Sequence, residues 1–335
     1  RKKEMSSHFT PELMNYIKEA LQNKEQIILF QNRRGFSPYL ECETCGWIPE
    51  CKHCDVSLTY HKRSNKLICH YCGYQQHIPH VCPSCGSNKI ITRGFGTEKI
   101  EDELEILFPD AKLKRMDMDT TRSRNAYEKI IHAFEEGTID ILVGTQMVSK
   151  GLDFDNVNVV GILNADNMLN FPDFRAFERS YQLMAQVSGR AGRKKKRGKV
   201  IIQSSKPNHP IITNVIENDY TGMYRDQLGE RKEFMYPPFY KMIKIILKHK
   251  KIDTLNAAAN ALTKELQRTF GYRVLGPQDP IVGRIQNYYL KHILIKIERE
   301  KSLKKTKEVI LHSNQNIIEQ PNNRSLQVLY DVDPL

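Results

Sequence analysis

Apolar positions along the chain keep two periods that trade places. Thr10-Pro11-Glu12 opens a helix with Thr as the N-cap and Pro in the first turn, and the pattern carries it to about Asn23. The unbroken run Gln26-Ile-Ile-Leu-Phe30 then reads as a strand buried on both faces. A second helix begins at Thr97, carries Ile100, Leu104 and Leu107 on one face and stops at Pro109. From there strand-like segments at Leu113–Met118, Ile139–Gly144, Val157–Leu163 and Val200–Gln203 alternate with helical stretches at Ala126–Glu136 and Phe174–Val187. Such alternation predicts an α/β domain, a parallel sheet with crossover helices. After about Arg231 and the Pro237-Pro238 break the order changes to strand Met242–His249, helix Leu255–Phe270, strands Arg273–Leu275 and Tyr288–Ile297, helix Leu303–Ser313 and strand Leu326–Val332. That is a split βαβ pattern and predicts a separate small α+β domain.

All eight cysteines fall between the first strand and the second helix. They form four pairs, Cys42 with Cys45, Cys51 with Cys54, Cys69 with Cys72 and Cys82 with Cys85, each at the Cys-x-x-Cys spacing that lets two thiolates meet one tetrahedral ion. Two structural Zn2+ sites are expected rather than disulfides, in a reducing compartment. Asp55–Ile68, between Cys54 and Cys69, reads as two strands around a polar turn, a zinc-ribbon hairpin. Cys51, Cys54, Cys69 and Cys72 are therefore expected to share one ion and Cys42, Cys45, Cys82 and Cys85 the other. This nesting brings the ends of the module together, as an insertion into another domain requires. His53, His61, His70, His77 and His80 lie nearby, but four complete knuckles leave neither a vacancy for them nor an open position for a catalytic water.

Composition changes this picture in two respects. Hydrophobic residues make up 40% of the 335 residues, yet the longest apolar runs are far below the roughly 20 needed to cross a bilayer, and no apolar stretch follows Arg1-Lys-Lys-Glu-Met5. No membrane association and a cytoplasmic address are expected. The 51 Lys and Arg exceed the 39 Asp and Glu, a net charge of +12 that concentrates polyanions, so nucleic acid leads the expected partners. A basic surface kept for solubility is the alternative.

In a parallel sheet, ligands bind beyond the carboxyl ends of the strands. Two loops there stand out, Gly144–Phe154 after one strand and Gln186-Val-Ser-Gly-Arg-Ala-Gly-Arg193 at the end of a helix. Arg190 and Arg193 offer planar, permanently charged donors for phosphate oxygens, and Gly189 and Gly192 let backbone approach a ligand. A basic turn running on into Lys194–Lys199 is the plainer alternative.

Thr145, then Gly151-Leu-Asp153, then Gln-x-x-Gly-Arg-x-Gly-Arg resemble, in that order, motifs V and VI of superfamily 2 helicases. The resemblance implies a second recA-like lobe that closes on ATP and Mg2+ held by a first lobe, which would have to precede Arg1. It implies that Gln186 senses nucleotide, that Arg190 and Arg193 reach the γ-phosphate, that Gly151 and Asp153 approach the nucleotide sugar, and that Thr145 and Gln146 face the DNA backbone. Leu29-Phe-Gln-Asn-Arg-Arg-Gly-Phe36 ahead of the cysteines, Gly94-Phe-Gly-Thr-Glu98, Asp117-Met-Asp119-Thr, Val143-Gly-Thr-Gln146-Met and the closing Tyr330-Asp-Val-Asp-Pro334 narrow it to the PriA family (primosomal protein N′) of replication-restart helicases, over nearly the whole chain.

The layout expected from pattern and resemblance together is a recA-like second lobe over residues 1–41 and 93–228, a zinc-binding insertion at 42–92 and a DNA-binding domain at 229–335. The implied function is the carboxy-terminal part of an ATP-dependent 3′ to 5′ DNA helicase that recognises stalled or recombined forks and initiates primosome assembly, in a nucleoid-associated setting. Its implied partners are forked and single-stranded DNA, other primosome proteins, single-stranded DNA-binding protein and the replicative helicase loader. Arg33 and Arg34, with Tyr289 and Lys291 on one face of a carboxy-terminal strand, are the further expected DNA contacts; for Tyr289 and Lys291 a half-buried strand is an equal alternative. The sequence has no Gly-x-x-x-x-Gly-Lys-[Ser/Thr] loop, so the chain alone is expected not to hydrolyse ATP. Asn164-Ala-Asp166 departs from the acidic strand end expected, which leaves the role of Asp166 open. A non-motor zinc-ribbon scaffold with a degenerate helicase lobe, and an RNA-directed superfamily 2 enzyme, are the alternative readings.

Overall fold

The computed structural model describes residues 8–32, 39–61, 64–93, 96–117, 120–121, 123–149, 154–192 and 198–334. Along the chain, α1 (Pro11–Gln22) leads into β1 (Gln26–Phe30), and the cysteine-rich stretch contributes β2 (Tyr39–Cys42), β3 (Thr59–His61), β4 (Lys66–Ile68), β5 (Gln75–His77) and β6 (Ile90–Arg93). There follow α2 (Thr97–Leu107), β7 (Leu113–Met116), α3 (Arg124–Glu135), β8 (Ile141–Gly144), β9 (Val157–Ile162), α4 (Asp166–Leu169), α5 (Ala176–Ser188), β10 (Lys199–Ile202), α6 (Pro210–Glu217) and α7 (Tyr220–Glu233). The chain ends with β11 (Tyr240–His249), α8 (Ile252–Phe270), β12 (Val274–Gln278), β13 (Arg284–Ile285), β14 (Tyr288–Glu298), α9 (Leu303–Ile318) and β15 (Gln327–Val332). It forms two compact units, Arg1–Ser37 with Gly94–Gln227, and Pro38–Arg93 with Leu228–Leu335.

The first unit is built on five parallel strands in the order β10-β9-β1-β8-β7. β1 is central because every one of its residues is buried, and its alternation splits the core in two. Ile28 and Phe30 pack with Leu142, Val160, Phe134 and Met184 on the side of α3 and α5. Ile27 and Leu29 pack with Leu13, Ile17, Ile100 and Leu104 on the side of α1 and α2. Each such aliphatic side chain contributes about 1.5–3 kcal/mol by leaving water. Thr10 and Ser123 cap α1 and α3 by accepting the Leu13 and Ala126 N–H groups. The cap at Ser123 starts α3 at Arg124, earlier than the apolar periodicity indicates.

In the second unit, β3, β4 and β5 form a small antiparallel sheet, and β2 pairs with β6 across the two ends of the cysteine-rich stretch. Residues 240–332 form an antiparallel sheet in the order β12-β14-β11-β15. Ile243, Ile245 and Leu247 of β11 and Ile293, Ile295 and Ile297 of β14 share a core with Leu255, Leu262 and Leu266 of α8 and Ile310 of α9. The split βαβ order stands, with one addition: β13 pairs with the start of β14 through a two-residue turn, Gln286-Asn287, both at positive φ. Among the described residues no helix is long and apolar enough to cross a membrane.

Candidate functional site

The four Cys-x-x-Cys knuckles are built on one backbone pattern. The N–H of the first cysteine donates to the carbonyl five residues on, Cys42 to Trp47, Cys51 to Val56, Cys69 to Tyr74 and Cys82 to Ser87, at 2.7–2.9 Å. In three of them the residue after the second cysteine is a glycine, Gly46, Gly73 or Gly86, at φ 73–75°, whose N–H returns to the carbonyl of the first cysteine. This conformation is costly for any residue with a Cβ, and it aims both thiols to the same side. The sulfurs meet in two groups, Cys42, Cys45, Cys82 and Cys85, and Cys51, Cys54, Cys69 and Cys72, the atoms of each within 4.8 Å of one another.

Both groups fit tetrahedral zinc. Sγ–Sγ approaches are 3.6 Å for Cys42–Cys85 and Cys45–Cys82 and 3.5 Å for Cys51–Cys72. These are far longer than a disulfide and close to the ~3.8 Å edge of a ZnS4 tetrahedron with ~2.3 Å bonds. Burial pushes the Cys51 thiol up to about 12, and the adjoining Cys72 and Cys69 sulfurs push the same way. Burial likewise raises Cys54. Burial acts on Cys72 of the same group too, but there the Tyr74 N–H and the neighbouring thiols outweigh it and move the thiol the other way, and a divalent ion that deprotonates its thiols would bring all four to the thiolate. No histidine belongs to either group among the described residues; His61 and His70 instead stack on each other, Nε2 to Nε2 at 3.0 Å.

At the carboxyl ends of the parallel strands the first unit has a cleft of about 330 Å3. Asn32 after β1, Gln146 after β8, Asn167 on α4 after β9, and Arg179 and Gln186 on α5 line it. Arg179 and Gln186 are two helical turns apart and so share a face. Asp173 Oδ2 holds the Arg179 guanidinium at 2.7 Å. The Oδ1 of Asn32, a residue 8% exposed, and Nδ2 of Asn167 are buried without a hydrogen-bond partner among the described residues. Each such orphan costs about 1–3 kcal/mol, which marks the cleft as a place for a polar ligand. The motif resemblance picks out Gln146 and Gln186 but not Asn32, Asn167 and Arg179. The available signals are the position of Asn32 directly after a buried strand and the seven-residue spacing of Arg179 from Gln186.

The remaining expected residues are placed as follows. Gly151, Asp153, Arg193, Arg33 and Arg34 lie outside the described residues. Arg190 is half-buried just past the end of α5, its N–H donating to Val187 O at 3.0 Å, and Gly192 donates to Val157 O on β9 at 2.9 Å. Thr145 is buried, its N–H bonded to Met116 O at 3.3 Å. Tyr289 and Lys291 do share a face of β14, but it is the face of Ile293, Ile295 and Ile297, which the helices cover. Tyr289 packs against that core, and the Lys291 ammonium pairs with Asp279 at 2.7 Å. Two of the motif strings meet directly, Thr97 Oγ1 donating to the buried Asp117 Oδ2 at 2.6 Å.

Comparison with known proteins assigns each of these parts. Residues 51–77 match the PriA DNA helicase Cys-rich region (CRR) domain, residues 86–195 the helicase conserved C-terminal domain and residues 232–335 the primosomal protein N C-terminal domain. Replication restart protein PriA of Bacillus subtilis is 41% identical over 330 residues, 98% of this chain and 41% of that protein. The Haemophilus influenzae protein of the same name is 36% identical over 329 residues, 96% of this chain and 44% of its own. The chain belongs to the PriA family. It spans less than half the length of these two relatives. Of solved structures, the Pyrococcus furiosus Hef helicase domain is 18% identical over 58% of this chain and 25% of its own, with a TM-score of 0.28.

The PriA-family matches divide the molecule along its elements. The cysteine-rich match takes in Cys51, Cys54, Cys69 and Cys72 with β3, β4 and β5, while Cys42, Cys45, Cys82 and Cys85 lie outside it. The helicase match carries Thr145, Gln146, Gln186 and Arg190, and the carboxy-terminal match carries β11 to β15. The expected fold class, an α/β helicase lobe with a cysteine-rich zinc module and an α+β carboxy-terminal domain, is the one found.

Proposed function

We propose that this chain supplies the second recA-like lobe, the zinc module and the DNA-binding domain of an ATP-dependent 3′ to 5′ DNA helicase that recognises stalled or recombined forks and initiates primosome assembly. The observation that carries this is the cleft at the strand ends, which Gln146 from one helicase-like loop and Gln186 from the other line together with Asn32 and Asn167, whose amides have atoms without a partner among the described residues.

ATP with Mg2+, held by an upstream lobe, supplies the hydrolysis that drives the cycle. Gln186 reads the nucleotide, Gly151 and Asp153 sit by its sugar, and Arg190 and Arg193 bring permanent positive charge to the phosphates, which in such reactions is worth on the order of 10³–10⁵ in rate. Thr145, Gln146, Arg33 and Arg34 hold the DNA backbone. Tyr289 and Lys291 support the carboxy-terminal contact through the sheet they brace. The two Zn2+ ions, in the two four-cysteine groups, hold shape and take no part in the chemistry. Other primosome proteins, single-stranded DNA-binding protein and the replicative helicase loader are the partners this role calls for.

The test is Arg190→Ala in the full-length protein. DNA-stimulated ATPase should fall about a thousandfold while binding to a forked duplex stays within a few-fold. ATPase at the wild-type rate would refute the motor reading. The isolated chain should show no DNA-stimulated turnover.

A further inference from the structure

One knuckle of the four departs from the shared pattern. Cys54 is followed by Asp55, not glycine, and the Asp55 N–H donates at 2.9 Å to the carbonyl of Arg284, which lies 229 residues further along. Arg284 begins the β13–β14 hairpin of the carboxy-terminal domain, within the same compact unit. The rest of that hairpin follows it. Asn287 N–H donates to His53 O at 2.8 Å, Arg284 Nε to Asp55 Oδ1 at 2.9 Å, and Gln286 N–H to the Cys54 sulfur itself at 3.3 Å. Ile285 packs against the ribbon core of Leu40, Leu58 and Leu67.

The turn that presents these groups holds Gln286 at φ 52° and Asn287 at φ 64°. Two successive left-handed residues are usually Asn-Gly or Gly-Gly, so a Gln-Asn pair there carries strain that the knuckle contacts offset. Both residues are exposed, yet their backbone N–H groups turn to the knuckles and their side-chain amides follow, Gln286 Nε2 donating to Tyr71 O at 3.5 Å and Asn287 Nδ2 meeting His53 Nδ1 at 3.2 Å.

We propose that this hairpin is a working part of the inner zinc site: the Gln286 N–H donates to a thiolate ligand, so retention of that ion depends on the carboxy-terminal domain being docked. The proposal rests on zinc occupying the Cys51, Cys54, Cys69 and Cys72 group. Four thiolates on one divalent ion leave an excess of two negative charges, and an N–H aimed at one sulfur spreads that charge where burial excludes water. Losing such an outer partner typically weakens metal binding 10–100-fold. By reciprocity the ion strengthens docking of the hairpin by the same factor.

The experiment uses the full chain. Arg284→Glu places two carboxylates together and undocks the hairpin, and Asp55→Arg in the same chain restores an opposite-charge pair. Zinc release to a chromophoric chelator is followed in each protein, with Cys45→Ser assigning the outer-site phase. The inner ion should leave at least about tenfold faster in Arg284→Glu, the outer ion at an unchanged rate, and the double variant should recover the wild-type rate. With Co2+ in place of zinc, the thiolate-to-metal charge-transfer band of the inner site should move to lower energy in Arg284→Glu, which loss of packing alone would not produce. An unchanged inner rate, equal acceleration of both ions, or an unmoved band would each overturn the proposal. Metal analysis of the wild-type chain separates the two ideas, since fewer than two zinc ions would overturn the zinc assignment beneath it.

Discussion

Asp166 stands where β9 gives way to α4, and its carboxylate accepts the Ser204 hydroxyl on one oxygen and the Ser205 N–H, at 2.8 Å, on the other. It ties the loop after β9 to the chain leaving β10, so a position whose role the motif comparison left open holds two strand ends in register. Burial alone would raise this carboxyl, but the Ser204 and Ser205 hydrogen bonds outweigh it and hold it below the usual aspartate range. A folded-state value below the unfolded one stabilises the fold above the unfolded value, and that contribution is lost as pH falls through the folded value. Asp166→Asn should therefore cost about 1–2 kcal/mol at neutral pH, and the gap to wild type should close on acidification. Thermal unfolding of both proteins between neutral and acid pH checks this; a gap that stays constant would mean the charge is not the source.

Among the elements, β1 shows how much hangs on one polar residue at the edge of an apolar run. Gln26 is 4% exposed, and its Nε2 donates to Phe134 O at 2.6 Å and Ile139 O at 2.8 Å, joining the central strand to the end of α3 and the approach to β8. β8 begins at Ile141, not at Ile139 where apolar pattern alone would start it, and the Ile139 carbonyl is taken by the Gln26 side chain. Gln26→Leu keeps the volume but strips two buried carbonyls of their donor, for an expected loss of about 2–4 kcal/mol. A urea titration should show the midpoint falling without a change in slope. In β14 the alternation of Tyr289, Lys291 and Ile293 was legible, but which face meets the helices was not. Period two separates two faces without naming the inner one.

For the whole molecule, the division into two units with separate cores argues against a single unfolding transition. Calorimetry should resolve two, and a zinc chelator should lower only the one belonging to Pro38–Arg93 with Leu228–Leu335; a single transition shifted bodily by the chelator would contradict the division. The chain by itself determined the main helices and strands of both folds, though not β2, β5, β6, β13, α4, α6 or α7, together with the parallel character of the first sheet, the split βαβ order and the pairing of the eight cysteines, because each of these is written in short-range spacing: a period, a cap, a Cys-x-x-Cys, a run length. Only the tertiary structure decided that Asn32, Asn167 and Arg179 converge on Gln146 and Gln186, and that the ribbon interrupting the helicase lobe packs with a hairpin from the far end of the chain. The cleft gathers side chains that come from separate strand ends and one helix, and the ribbon meets the hairpin more than 200 positions away through a few hydrogen bonds, one ion pair and the packing of Ile285. Such partners have no repeat, and Asp55 in place of the glycine that closes the other three knuckles was the one local mark they left.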